Sequence, residues 1–316
     1  MGRRTLIVMD NNSVVFTLTP LNLTANNRLT IFALTCMCYC VIWMANVTII
    51  VTIIVNKNLH EPMYIFLCNL CINGLYGTAG FYPKFLQALL SSTHVISYAG
   101  CMLQGFVLHS SSCADLSLLL LMAFDRYVAI CHPLNYNSVM TKEKVGIFVF
   151  LAWFVPIHLV LIGSITTALP RLCGSHIPRI YCINLMVGKL ACTASVATVI
   201  VPAFNYTIYF FHFVFILFSY GSLIKNCLKS HENRNKFMQT CLPHVICLFI
   251  FIFSAGLDLL YIRYGNTNLS QSVKNFMNFI AIEFLIIPPL MNPLIYGFKL
   301  TKIRNRIMYI VCSGRK

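Results

Sequence analysis

Three sets of polar residues stand within or at the ends of otherwise apolar segments, and these are the residues that could do chemistry. The first is Asp125-Arg126-Tyr127, where a long apolar run turns abruptly charged. An arginine is costly in hydrocarbon and belongs at a helix end, with a partner and headgroup water in reach. The second set is Asn46, Asn73, Asp115 and Asn292, one in each of four apolar runs. At ~1.5 Å per residue, Asp115 stands about 16 Å above Arg126, Asn46 and Asn73 about 14–15 Å from the same face, and Asn292 about 10 Å from it. The third is His109, Ser112 and Asp115, an i, i+3 stripe whose first member lies about 12 Å below Cys101. Such residues pair charges, join helices or hold a ligand. Catalysis is not indicated, because the chain has no His-Glu-x-x-His, no Gly-rich phosphate loop and no nucleophile elbow. No cofactor and no metal site is expected.

The elements that must position these groups follow from composition. The 316 residues are 58% hydrophobic and 10% charged, against roughly a quarter charged in a soluble domain. So little polar surface cannot cover a globule in water, and the solvent must be lipid. The net charge of +15 is not gathered on a polar domain but punctuates the apolar runs, which argues against nucleic acid. Seven runs approach or exceed the ~20 residues needed to span a bilayer: 31–55, 63–90, 101–130, 145–167, 194–224, 243–262 and 273–297. The expected fold is an all-α membrane bundle of seven helices. Residues 299–312 then alternate basic and apolar side chains, as a short helix lying on the membrane surface does.

The basic residues also orient the chain. Lys57, Lys142, Lys144, Lys225, Lys229, Lys236 and Lys299 fall on one side, and the other side carries fewer. The positive side is expected to be cytoplasmic, with the C-terminus there and the N-terminus outside. Residues 1–12 lack the apolar stretch of a signal peptide, so the first helix is the expected insertion signal. The reading gives an outer tail at 1–28, a membrane domain at 29–298 and a cytoplasmic helix and tail at 299–316. Asn11 and Asn22 open Asn-x-Ser/Thr triplets in that tail and become expected glycan acceptors. Of the fifteen cysteines, Cys101, Cys173, Cys182 and Cys192 lie at a helix start or in a polar loop, where oxidation is favoured if that face is lumenal. Four cysteines allow three pairings, and spacing does not choose among them.

The segment from Met122 to Leu134, built around Asp125-Arg126-Tyr127, resembles the signature of rhodopsin-like G-protein-coupled receptors in its olfactory version. The likeness extends along the chain through Pro62-Met63-Tyr64, Ser219-Tyr220, Lys236 with Thr240-Cys241 and His244, and Pro289-Leu290-Met291-Asn292-Pro293 with Tyr296. Residues 66–77 look most like fish-type odorant receptors. The resemblance implies a plasma-membrane receptor for a small odorant that couples to a stimulatory G protein and raises cyclic AMP. It implies a switch made of Asp125, Arg126, Tyr127, Tyr220, Asn292, Pro293 and Tyr296. It also implies a Cys101–Cys182 bridge, leaving Cys173 with Cys192. The acid that the class carries on helix two is Asn73 here, and helix three supplies Asp115 instead.

A ligand would sit in the outer half of the bundle. His109 and Ser112 are the polar candidates, with Leu108, Phe204, Ile208, Ala255, Leu259 and Ile282 as apolar lining. Arg263, at the outer end of helix six with Lys189 and Lys274 nearby, would favour an anionic ligand; otherwise it snorkels as an interfacial anchor. Asp258 and Glu283 are acids at membrane depth and so candidates for function. A non-olfactory receptor of the same class is the nearest alternative. An amine receptor would want a carboxylate between Cys101 and Ala114, and there is none. A transporter would want internal repeats and broken helices, and neither is evident.

Overall fold

Side chains that take over free backbone donors set where the helices begin. Thr24, Ser97 and Thr141 each accept a hydrogen bond from the N–H three residues on, which starts the helices Ala25–Val55 (α1), Tyr98–Cys131 (α3) and Lys142–Ala168 (α5). Pro62, which has no N–H to lose, opens Pro62–Leu90 (α2). Two short helices, Tyr136–Val139 (α4) and Asn184–Lys189 (α6), lie in loops. Val196–Cys227 (α7), Leu242–Tyr264 (α8) and Gln271–Lys299 (α9) follow, and Thr301–Ser313 (α10) closes the chain. This computed structural model describes residues 9–10, 13–20, 24–91, 93–193, 195–227, 242–264 and 271–313. Asn11 and Asn22 lie outside them.

Among the described residues, seven helices of 23 to 34 residues form one bundle. The capped helices run past the apolar runs that foretold them. α1 begins at Ala25 rather than 31, because Thr24 caps a first turn of polar residues. Large apolar side chains such as Leu34, Met37, Phe150, Phe210 and Phe211 face outward. That is the surface a bilayer requires.

The segment expected to be an outer tail is partly built into the fold. Ser13–Leu18 (β2) pairs antiparallel with Met9–Asp10 (β1) and with Val95–Ser97 (β3), and parallel with His176–Ile177 (β4). Phe16 is fully buried among Ile96, Ile177, Val187 and the Cys101–Cys182 pair. The alternation that marks a strand is too short here to read from sequence alone.

Two disulfides staple the same end of the bundle. Cys101 at the start of α3 is bonded to Cys182 with Cα atoms 5.2 Å apart, and Cys173 to Cys192 at 4.8 Å. Gln104, one turn below Cys101, accepts from the Cys182 N–H at 2.9 Å and donates to the Gly80 carbonyl at 3.0 Å, tying loop, α3 and α2 together. Peptide mapping without reduction should recover Cys101 and Cys182 on one linked fragment. A Cys101 that alkylates in the folded protein would contradict the bridge.

Candidate functional site

Helix α3 carries three of the candidate groups at three depths, so the site is described along it from the disulfide end to the Arg126 end. The upper part is a cavity of about 520 Å³ between α3, α5 and α7, roofed by the loop that contains α6. The roof can come this close because residue 105 is glycine; a Cβ there would stand 2.2 Å from Asn184 Oδ1. Leu108, His109 and Ser112 line the cavity from α3, and Ala255 lines it from α8. The Ser112 hydroxyl donates to the Leu108 carbonyl at 2.9 Å, while His109 is half-buried and has no hydrogen-bond partner among the described residues.

Other expected lining residues sit elsewhere. Phe204 is 58% exposed on the outside of α7, and Ile208 is half-buried there without reaching the cavity. Ile282 packs against the cluster of Ile42, Phe81 and Tyr82 between α1, α2 and α9. The side chains of Leu259, Arg263, Asp258 and Lys274 lie outside the described residues, and Glu283 is half-buried on α9. Helix α7 faces the cavity through Pro202, Asn205, Tyr206 and Tyr209 instead. Their i, i+3, i+4, i+7 spacing puts them on one face, and its three polar members, Asn205, Tyr206 and Tyr209, are a stripe that sequence could have shown. Apolarity could not show it, because α7 is apolar nearly all round, and Phe204 is turned about 100° from Asn205.

Below the cavity the polar residues form two bonded pairs. Asn73 Nδ2 donates to Asp115 Oδ1 at 2.7 Å and to the Ser111 carbonyl at 2.9 Å, joining α2 to α3. Gly77 permits this approach, since a Cβ would come within 2.3 Å of Ser111 Oγ. Asn46 Nδ2 donates to the Ile42 carbonyl at 2.8 Å and across to the Pro289 carbonyl of α9 at 2.9 Å. That carbonyl is free for a chemical reason. Its helical partner would be the N–H of residue 293, which is proline. Asn292 is buried beside Pro293, but among the described residues its side chain bonds to neither pair. A small cavity of about 30 Å³, lined by Asp115, Gly74, Pro288 and Pro289, separates this layer from the upper site.

At the far end of α3, Arg126 donates through Nε to Asp125 Oδ2 at 2.8 Å and pairs with the same carboxylate through its terminal nitrogen. Asp125 is fully buried, and its other oxygen accepts from the Tyr136 hydroxyl at 2.7 Å. Burial, and then the Asp125 charge, hold the Tyr136 phenol well above its ordinary pKa, so it remains a donor at any physiological pH. Tyr136 belongs to the loop helix α4, and sequence reasoning missed it because a polar tip in a loop gives no periodic signal. Tyr220 and Tyr296 are both buried in the cluster that contains Met122, Leu223 and Cys247. Tyr127 hydrogen-bonds His132 at 3.2 Å.

A family model described as Olfactory receptor matches residues 35–314. The chain belongs to the olfactory receptor family. Human olfactory receptor 52D1 is 31% identical over 89% of this chain and 88% of its own. Human olfactory receptor 51G2 is 34% identical over 88% of each, and mouse olfactory receptor 4E2 is 32% identical over 87% and 89%. The fold matches squid rhodopsin with a TM-score of 0.71 at 14% identity, over 90% of this chain and 85% of that one. The protein is therefore a multi-pass receptor of the plasma membrane rather than an enzyme.

In this receptor the Asn46 amide bonds a carbonyl whose regular helical partner proline has removed. Asn46→Leu should lower the thermal stability of the purified receptor by about 1–3 kcal/mol, the cost of an unpaired buried acceptor. An unchanged unfolding midpoint would show that the carbonyl is satisfied in another way.

Proposed function

We propose that a small odorant molecule in the upper cavity drives coupling, at the Arg126 end, to a stimulatory G protein of the olfactory type and so raises cyclic AMP. The disulfide end then faces outward and α10 lies in the cytoplasm, in keeping with the basic residues that flank that end. The observation that carries the reading is the shared helix. His109 in the cavity, Asp115 in the polar layer and Asp125 in the buried charge pair all stand on α3. A ligand that favours a different setting of α3 acts on the charge pair through one stiff element, and it can shift the balance only by its differential affinity for the two settings.

The Asp125 pair supplies the resting restraint, and the switch residues named from the resemblance, Tyr220, Asn292, Pro293 and Tyr296, would accompany its release. Arg126→Ala should abolish ligand-evoked cyclic AMP in cells while surface expression stays near normal. Normal signalling from that variant would rule out the role of Arg126. Solute flux without ligand-gated nucleotide exchange would favour a transporter instead.

Tyr136→Phe removes one of the two partners of Asp125 and keeps the ring. A hydrogen bond to a charge is worth about 1.5–3 kcal/mol. Loss of it should raise basal nucleotide exchange on the G protein several-fold without agonist. Basal exchange equal to that of the native receptor would mean that Tyr136 does not hold the resting state.

A further inference from the structure

The cavity wall has a pattern of unmet hydrogen bonds that describes its ligand. Helices α3 and α7 both start at the disulfide end and run in the same direction. The Cys113 thiol of α3 lies beside the Tyr209 hydroxyl of α7. One turn back toward the disulfide end, roughly 6 Å, brings His109 opposite Asn205. All four residues line the cavity.

Among the described residues the Tyr209 hydroxyl and the roof's Asn184 Oδ1 receive no hydrogen-bond partner, and the upper pair is also chemically incomplete. Asn205 Nδ2 donates to the Leu159 carbonyl of α5 at 3.2 Å, which fixes the amide and leaves Oδ1 as an acceptor. That oxygen is buried and receives no donor among the described residues. His109 has no partner among them either, and a neutral imidazole offers one N–H and one acceptor nitrogen. Buried polar groups are ordinarily satisfied, so a fixed acceptor and an unpaired imidazole at the same level of the cavity wall mark the place of a missing group.

Charge narrows that group further. No carboxylate lines the cavity among the described residues, and Asp115 in the layer below is already held by Asn73. An ammonium would have no counter-ion on the described lining. The cation on the described lining is Lys189, on the exposed rim of the loop, and a carboxylate at the His109–Asn205 level would be desolvated beside an amide oxygen that repels it. A hydroxyl fits both partners, because it donates to Asn205 Oδ1 while accepting from the His109 N–H. We infer that the ligand is a neutral, largely apolar alcohol or phenol whose hydroxyl bridges His109 and Asn205. The inference rests on the upper cavity being the agonist site.

The test uses the full-length receptor purified into nanodiscs and titrated by thermal stabilisation. The probes are linear C6–C10 alcohols, cyclohexyl alcohols and alkylphenols, each with the methyl ether, the alkane and the carboxylate of the same skeleton. At least one alcohol or phenol should bind tenfold or more tightly than its ether and its carboxylate. The linear, cyclic and aromatic arms show which skeleton the cavity takes. His109→Phe and Asn205→Leu should each bring the alcohol to within about twofold of its ether. Because Asn205→Leu also removes the tie to Leu159, His109→Phe decides the matter if the other variant does not reach the membrane. Alcohol and ether binding equally, a tighter carboxylate, an advantage that persists in His109→Phe, or no binding by any hydroxyl probe would each overturn the inference. An alcohol that binds as described yet evokes no nucleotide exchange would uphold the ligand class and overturn the signalling role of the cavity.

Discussion

A helix in hydrocarbon has no water to satisfy its polar side chains, so each such group must find a partner on its own or a neighbouring helix or cost several kcal/mol. That constraint organises this receptor more than any apolar contact does, because lipid tails compete equally well for apolar surface. Asn73 meets Asp115, Asn46 meets the Pro289 carbonyl, and Tyr136 and Arg126 share Asp125. The Arg126 bond lies within α3, and the other three join α2 to α3, α1 to α9, and the α4 loop to α3.

The same bonds make the bundle able to change. Three prolines interrupt α9 at 288, 289 and 293, and the helix loses N–H groups where Asn46 reaches it. A helix held there by a neighbour's side chain, rather than by its own ladder, can rearrange when that side chain moves. The cavity at the disulfide end is stiffer. Two disulfides, the Gln104 bridge and the close seat of Asn184 on Gly105 fix the roof to α3. A stapled cap above and a proline-weakened helix below place the movable part of the receptor near the charge pair that the G protein would meet.

Much of this was legible in the sequence, and the rest was hidden for physical reasons. Apolar runs located all seven long helices, because lipid demands them, and the helix ends differ from the expected limits by up to six residues. Asn46, Asn73 and Asp115 stood out because polar residues are rare at that depth. The cavity face of α7 did not, since an apolar helix in lipid has no hydropathy contrast between its inside and its outside. Phe204 was therefore expected to line the cavity but faces outward, and Tyr209 lines it instead. The strand Ser13–Leu18 and the Tyr136 contact depend on partners about 80 to 160 residues away or on a short loop helix, and neither leaves a periodic trace.

The central claim is that ligand in the upper cavity acts on the charge pair through α3. Gly163 tests it most directly, because it lines the cavity and a Cβ there would meet only ordinary contacts, 3.8 Å from Asn205 Nδ2 and Val201 Cγ1. Gly163→Leu should fill ligand space without disturbing the polar layer or Asp125. The measurement is nucleotide exchange on a reconstituted G protein as a function of agonist concentration. The account requires that agonist-evoked exchange disappear or shift to at least tenfold higher concentration while agonist-free exchange stays at the native level. An agonist response of native potency in the filled receptor would show that the ligand acts somewhere else.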